Sequence, residues 1–237
     1  MAGTAKRHGG RYIYETLRQR ILTLELKPGS PLDEVSLAEH FNLSRSPVRD
    51  ALARLMSEGL VTVLSNRSAI VKPIEFDELP RYIDALDLVQ RAVTRLAARH
   101  RTASDLEEIC AKNQEYMEAV NQSDFRMMSE KNKEFHLRIS EAAGNPYFTQ
   151  YYETLLDEGQ RLIHLQLNFI VSDLDRQIGN DHEAIIRAIE ERDVNRAEEA
   201  AHEHTELFRK RFIDYLNKSH VDEMRLDWID QETEITQ

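Results

Sequence analysis

The chain reads as mainly α: a small winged helix-turn-helix unit with a β-wing, followed by an all-α helical bundle. Three observations predict this. Within Ser36–Val71, two short helices joined by a three- or four-residue turn precede a small hairpin with a basic tip. From about Asp77 to Lys218 the apolar residues recur at helical spacing, with no strand-like alternation. Charge divides at the same place. The net −11 splits into 11 Lys/Arg against 7 Asp/Glu in residues 1–72, and 20 against 35 in residues 73–237. A basic first part suits DNA phosphate and an acidic second part should point away from it. An acidic helical surface is also common in proteins that never meet DNA.

A length of 237 residues accommodates a small unit over 10–73, a helical one over 76–217 and an extension over 218–237. The single cysteine, Cys110, cannot form an internal disulfide and falls on an apolar helical stripe, as core filler does. There is no run of 18 consecutive apolar residues and no apolar stretch of signal length at the start. The expectation is a soluble, cytoplasmic protein without a membrane partner.

Taken in order, residues 1–10 are small, basic and Gly-containing, and are expected to be disordered. Tyr12 to Leu26 reads as a helix with Ile13, Leu17, Ile21 and Leu24 on one face, stopped by Lys27-Pro28-Gly29. Leu32 and Val35 are apolar anchors before a second helix that ends at Leu37–His40, and Phe41-Asn42-Leu43 is a turn. Ser44 or Ser46 can cap the next helix, which buries Val48, Leu52 and Leu55 and runs to about Ser57. Pro47 sits in its first turn, where a missing N–H costs nothing. Leu60–Leu64, the tip Ser65–Ser68 and Ala69–Val71 form the wing, and Pro73–Phe76 a short hinge. Helices are then expected near 77–100, 103–121, 123–142, 146–170, 173–191 and 193–217. Gly179 and Asn180 either kink the fifth or delay its start to about residue 180. His220–Gln237 carries a last amphipathic stretch, with Met224, Leu226, Trp228 and Ile229.

Two groups of residues carry chemistry. Arg45 and Arg49 lie one turn apart on the polar side at the start of the third helix. A recognition helix reads base edges through that end, and Arg with guanine is the commonest specific pair. Ser44 and Ser46, with the exposed amides beside them, suit phosphate. Arg67 at the wing tip is a candidate for the minor groove or backbone, and equally for a solvated loop charge. The second group is Asn132, His136, His182 and His204, each on or one turn from an inward apolar stripe, whereas His202 points nearly the opposite way. Three imidazoles and an amide oxygen can hold a divalent metal such as zinc or nickel, with an open position for a carboxylate ligand. They can equally be core histidines with satisfied hydrogen bonds. Glu134, Asp181 and Glu183 are offset from the stripe, and no phosphate loop, HExxH or nucleophile elbow is present, so a metal hydrolase would rest on the histidines alone.

With these residues in view, LKPGSPLDEVSLAEHFNLSRSPVRDALARLMSEGLV resembles the signature of the GntR family of bacterial transcription regulators. Residues 76–216 are similar to the all-helical FCD ligand-binding domain of the subfamily typified by the fatty-acid and vanillate regulators. The resemblance implies that Arg45, Ser46 and Arg49 contact operator DNA, and that the wing enters the minor groove. Ser68 departs from a glycine common at its position. The resemblance also carries the metal ligands onto Asn132, His136, His182 and His204, with Asn132 replacing the usual Asp. Leu86 and Gln90 stand where many members have Arg and Glu, which leaves Arg138, Arg161 and His164 as substitute effector-binding residues. The whole implies a homodimer on a double-stranded operator with an inverted repeat, released by a small carboxylic or sugar acid. A metal-dependent hydrolase, or a regulator whose second domain is purely structural, are the alternatives.

Overall fold

The computed structural model describes residues 2–65, 67–170 and 182–219. The N-terminal unit contains α1 (Ala2–Leu22), α2 (Glu34–His40), α3 (Arg45–Ser57), β1 (Val61–Val63) and β2 (Ala69–Val71). Ile13, Leu17 and Ile21 from α1 meet Val48, Leu52 and Leu55 from α3, and Leu60 and Val71 from the wing close the core. Two expectations for α1 need correction. The helix begins at Ala2 instead of emerging from a disordered leader. Gly9 and Gly10 lie within it and pack close: a Cβ on Gly9 would stand 2.9 Å from Leu43 Cδ1, and one on Gly10 3.7 Å from Pro47. The helix also ends four residues earlier than expected, because Leu24 turns to φ 58°. Leu22 therefore takes the buried place assigned to Leu24.

Asp33 caps α2 by accepting from the Ser36 amide at 2.8 Å. Of the two anchors before that helix, Leu32 is buried but Val35 is 45% exposed, since α2 turns Ala38 and Leu37 inward. Asn42 supplies the left-handed residue of the turn, with φ 51°. Ser44 occupies the N-cap of α3 without a side-chain cap bond. β1 and β2 are antiparallel with Val61 opposite Val71, and the Leu64 amide donates to Ser68 O at 2.9 Å across the tip. The positive φ of the wing falls on Arg67 itself, at 67°, and its amide donates to Leu64 O at 2.8 Å.

Lys72–Glu75 leads through a 3-10 turn (Phe76–Glu78) into α4 (Leu79–His100), α5 (Ala103–Asn121), α6 (Phe125–Ala142) and α7 (Pro146–Ile170), then α8 (Glu183–Glu190) and α9 (Val194–Ser219). Thr102 and Asp105 form a capping box at α5, and Asp124 caps α6. α5 packs along α6 and α4 along α9. Gln90 bolts three helices together: its Nε2 donates to Ala201 O at 3.1 Å and its Oε1 accepts from the Tyr152 hydroxyl at 2.9 Å. Cys110 is exposed, contrary to expectation, because α5 turns Ile109 and Tyr116 inward instead. The first part of the expected 173–191 helix and the amphipathic stretch with Trp228 lie outside the described residues. Among those described, no helix is long and apolar enough to cross a membrane.

The two units meet through α1 and α7. Arg18 of α1 pairs with Asp157 of α7 and, at 3.3 Å, with Glu58 at the C-cap of α3. Below it, the fully buried Arg161 donates to the Lys72 carbonyl at the exit from the wing, and to Glu158 at 2.9 Å.

Candidate functional site

Ser44, Arg45, Ser46 and Arg49 form one exposed face at the N-terminal end of α3. Pro47 and Val48 in the same turn are buried and fix the helix against the core, so the polar positions are left to solvent. Glu34 of α2 holds both arginines, Arg45 at 2.9 Å and Arg49 at 2.7 Å. Hydrogen bonds from Arg49 and Arg45 keep its carboxyl below the usual range. Arg67 is exposed at the wing tip. The first-turn amides of a helix have no intrahelical acceptor, and the Ser44 side chain makes no cap bond to those of α3, which suits phosphate oxygens.

In the bundle, His136 from α6, His182 at the N-cap of α8 and His204 from α9 converge. One nitrogen from each lies within 4.8 Å of the others. The ring centroids are 4.9 to 5.2 Å apart. His182 stacks on Phe135 at 4.0 Å, and its Nδ1–H donates to Asn113 Oδ1 at 2.9 Å, which leaves Nε2 with its lone pair. Burial, then the neighbouring His204, pushes the His136 imidazole well below its ordinary value. Burial, then His136, His204 and Arg211, does the same to His182. A divalent metal requires neutral imidazoles, and here burial keeps His136 and His182 neutral while Asn113 fixes the His182 tautomer, so the cluster fits such an ion.

His136 and His204 also border a small cavity of about 50 Å³. Asn132 lies one turn before His136 on α6 and borders the same cavity. Gln90 and Leu86 line its opposite side, and Gly159 makes room for Tyr82, whose hydroxyl would stand 2.7 Å from an added Cβ.

The three substitutes expected to hold an effector acid are scattered. Arg138 is surrounded by Asp105 and Glu108 of α5 and Glu141 of its own helix, and it does not border the cavity. Arg161 is engaged at the junction described above. His164 is buried, with Nε2 2.6 Å from Ser129 Oγ, and reaches the cavity wall only through that serine. Burial, then Arg126, lowers the His164 pKa. Sequence reasoning missed Lys133, which does border the cavity. The signal was available: Ser129, Asn132, Lys133 and His136 form an i, i+3, i+4, i+7 stripe beside the apolar one.

Two family models match. One, bacterial regulatory proteins of the gntR family, covers residues 10–71, and the other, the FCD domain, covers residues 82–207. The chain belongs to the gntR family and carries an FCD domain. It is thus a DNA-binding transcriptional regulator and not an enzyme. Among GntR relatives, the "Galactonate operon transcriptional repressor" of Escherichia coli (strain K12) is 30% identical over 217 residues, covering 80% of this chain and 90% of the relative. The "HTH-type transcriptional regulator LutR" of Bacillus subtilis (strain 168) is 29% identical over 184 residues, covering 70% and 83%. The solved structure of E. coli McbR/YncC superposes with a TM-score of 0.77 at 21% identity, over 88% of this chain and 99% of that one, a likeness of fold.

Proposed function

We propose that this GntR-family regulator is a cytoplasmic repressor whose homodimer holds an inverted-repeat operator and leaves it when a small organic acid enters the FCD cavity. The observation that carries this reading is the histidine cluster opening onto a cavity, in a chain whose other end exposes Arg45 and Arg49 on a helix start. The relative named for a galactonate operon supports a sugar acid as effector class. In this reading residues 10–73 are the DNA-binding unit, 76–217 the effector unit and 218–237 an extension, in the subfamily of the fatty-acid and vanillate regulators. Two-fold symmetry lets each protomer set one α3 into a major groove. Arg45 and Arg49 read guanine, Ser44 and Ser46 hold phosphate, and Arg67 enters the minor groove or follows the backbone.

His136, His182 and His204 hold a divalent ion of zinc or nickel type, with the Asn132 amide oxygen as a fourth donor. When bound, the ion supplies an open coordination position for an oxygen of the acid. Of the expected effector residues, His164 contributes through Ser129, whereas Arg138 and Arg161 are committed to ion pairs and hydrogen bonds elsewhere.

The test is selection of genomic DNA fragments on the purified protein at two salt concentrations against unrelated competitor. Recovery of a short inverted repeat, and its release by sugar or carboxylic acids in metal-loaded but not chelator-treated protein, is the expected result. Failure to enrich any site removes the operator reading. Enrichment without release by any acid that binds removes the effector reading alone.

A further inference from the structure

Among the described residues bordering the cavity, Lys133 carries the one fixed charge and no carboxylate is present. Lys133 is therefore the one cationic contact the cavity wall offers an anionic group. Lys133 is not idle: its ammonium pairs with Asp157 and approaches Glu153 at 3.7 Å, and the Lys133 and Asp157 side chains are only 12% and 6% exposed. The second oxygen of Asp157 accepts from Arg18 of α1, which in turn reaches Glu58 at the C-cap of α3. Glu58 also accepts from the Tyr14 hydroxyl at 2.7 Å. A row of alternating charges thus runs from the cavity wall to the far end of the helix whose start faces DNA. Beside Lys133, Gln160 is buried with its Oε1 unpartnered, and its Nε2 is 3.4 Å from Ser129 Oγ. A buried acceptor without a donor is costly, and a ligand hydroxyl would satisfy it.

We propose that Lys133 is the cation that receives the effector's carboxylate, and that it does so by leaving Asp157. Its flexible four-carbon stem allows the ammonium to exchange one carboxylate for another without movement of α6. An occupied cavity then changes the pairing of Asp157 with Arg18, and so the seating of α1 and the Glu58 end of α3. With Gln160 Oε1 as the acceptor for a ligand hydroxyl, the fitting ligand class is a polyhydroxy or hydroxy acid, not a fatty acid. This inference rests on the effector reading above, and deepens it by assigning the anion receptor and the route to the DNA-binding unit.

Because Asp157 competes with the ligand for Lys133, the assignment predicts effects of opposite sign. Full-length, metal-loaded protein is titrated calorimetrically with galactonate and citrate, and with galactitol, which lacks the carboxylate. The wild type binds an acid and not galactitol. Lys133→Gln loses affinity about tenfold or more, the worth of one charge-assisted contact, and Lys133→Arg keeps most of it. Asp157→Asn binds the acid more tightly than the wild type. Arg18→Gln binds it more weakly, because Asp157 then holds Lys133 without a rival; this variant carries the test if Asp157→Asn does not fold. Amide exchange in α1 accelerates on adding acid to the wild type, and is already fast in Asp157→Asn without it. Unchanged affinity in Lys133→Gln overturns the receptor assignment. Looser acid binding in a folded Asp157→Asn, or α1 protection indifferent to acid, overturns the exchange with Asp157. A wild type that binds neither acid overturns the effector reading itself, and the receptor assignment with it.

Discussion

His136 and His182 are held neutral by burial, well below their ordinary value of 6.5, so the fold refuses protons that the unfolded chain accepts. A group with a depressed folded pKa contributes stability above its unfolded value and loses it as pH falls toward the folded one. Metal-stripped protein should therefore melt at progressively lower temperature as pH drops from about 7 to about 5, and His136→Gln should flatten that slope. A flat profile in the stripped wild type would count against the neutral cluster. On the DNA face, Arg49→Ala should weaken specific operator binding by roughly 1–3 kcal/mol with an unchanged melting temperature. Direct titration of the selected operator decides it. The histidines were legible because each interrupts or adjoins an apolar stripe whose partners are apolar, and a lone imidazole there stands out. Lys133 was not, since KNKEF looks like a solvated charge run until Asp157 is seen across from it. The surroundings of Arg138 were hidden for the converse reason: three acids within reach on α5 and α6 are invisible to spacing along the chain.

At the scale of elements, the helical order of the second domain followed from apolar periodicity, and α4 to α7 fall within about two residues of the expected ranges 77–100, 103–121, 123–142 and 146–170. The misses have local causes. α1 continues through Gly9 and Gly10, and the Leu43 side chain packs where a Cβ on Gly9 would stand, a tertiary contact set against weak helix propensity. Cys110 and Val35 sit one position away from the buried stripe, a rotation that sequence cannot resolve. Gln90 was noted only as a departure from a pattern, yet it joins α4 to both α7 and α9. Gln90→Leu leaves the buried Tyr152 hydroxyl without its acceptor. Thermal denaturation should show a loss of about 1–3 kcal/mol. An undiminished melting temperature would mean that the tyrosine finds another partner.

Across the whole molecule, the basic residues of the N-terminal unit set how binding responds to salt. Each phosphate contact adds about 0.9 to the magnitude of the slope of log affinity against log salt. Arg67→Ala should lower that magnitude by about one if the wing follows the backbone, and leave it unaltered if the tip stands free. The Glu34 clasp on Arg45 and Arg49 acts at the same scale. A carboxylate that must be displaced at every encounter subtracts a similar free energy from cognate and random DNA, so it barely changes their ratio while shortening both residence times. A regulator must sample a genome of competing sequences before it settles, and the time lost on each wrong one limits the search. Glu34→Gln should dwell longer on random DNA and reach its operator more slowly in excess competitor, measurable in a competitor-chase experiment. The acid on α2 would then serve as a brake on lingering, sited beside the two arginines proposed to read the sequence.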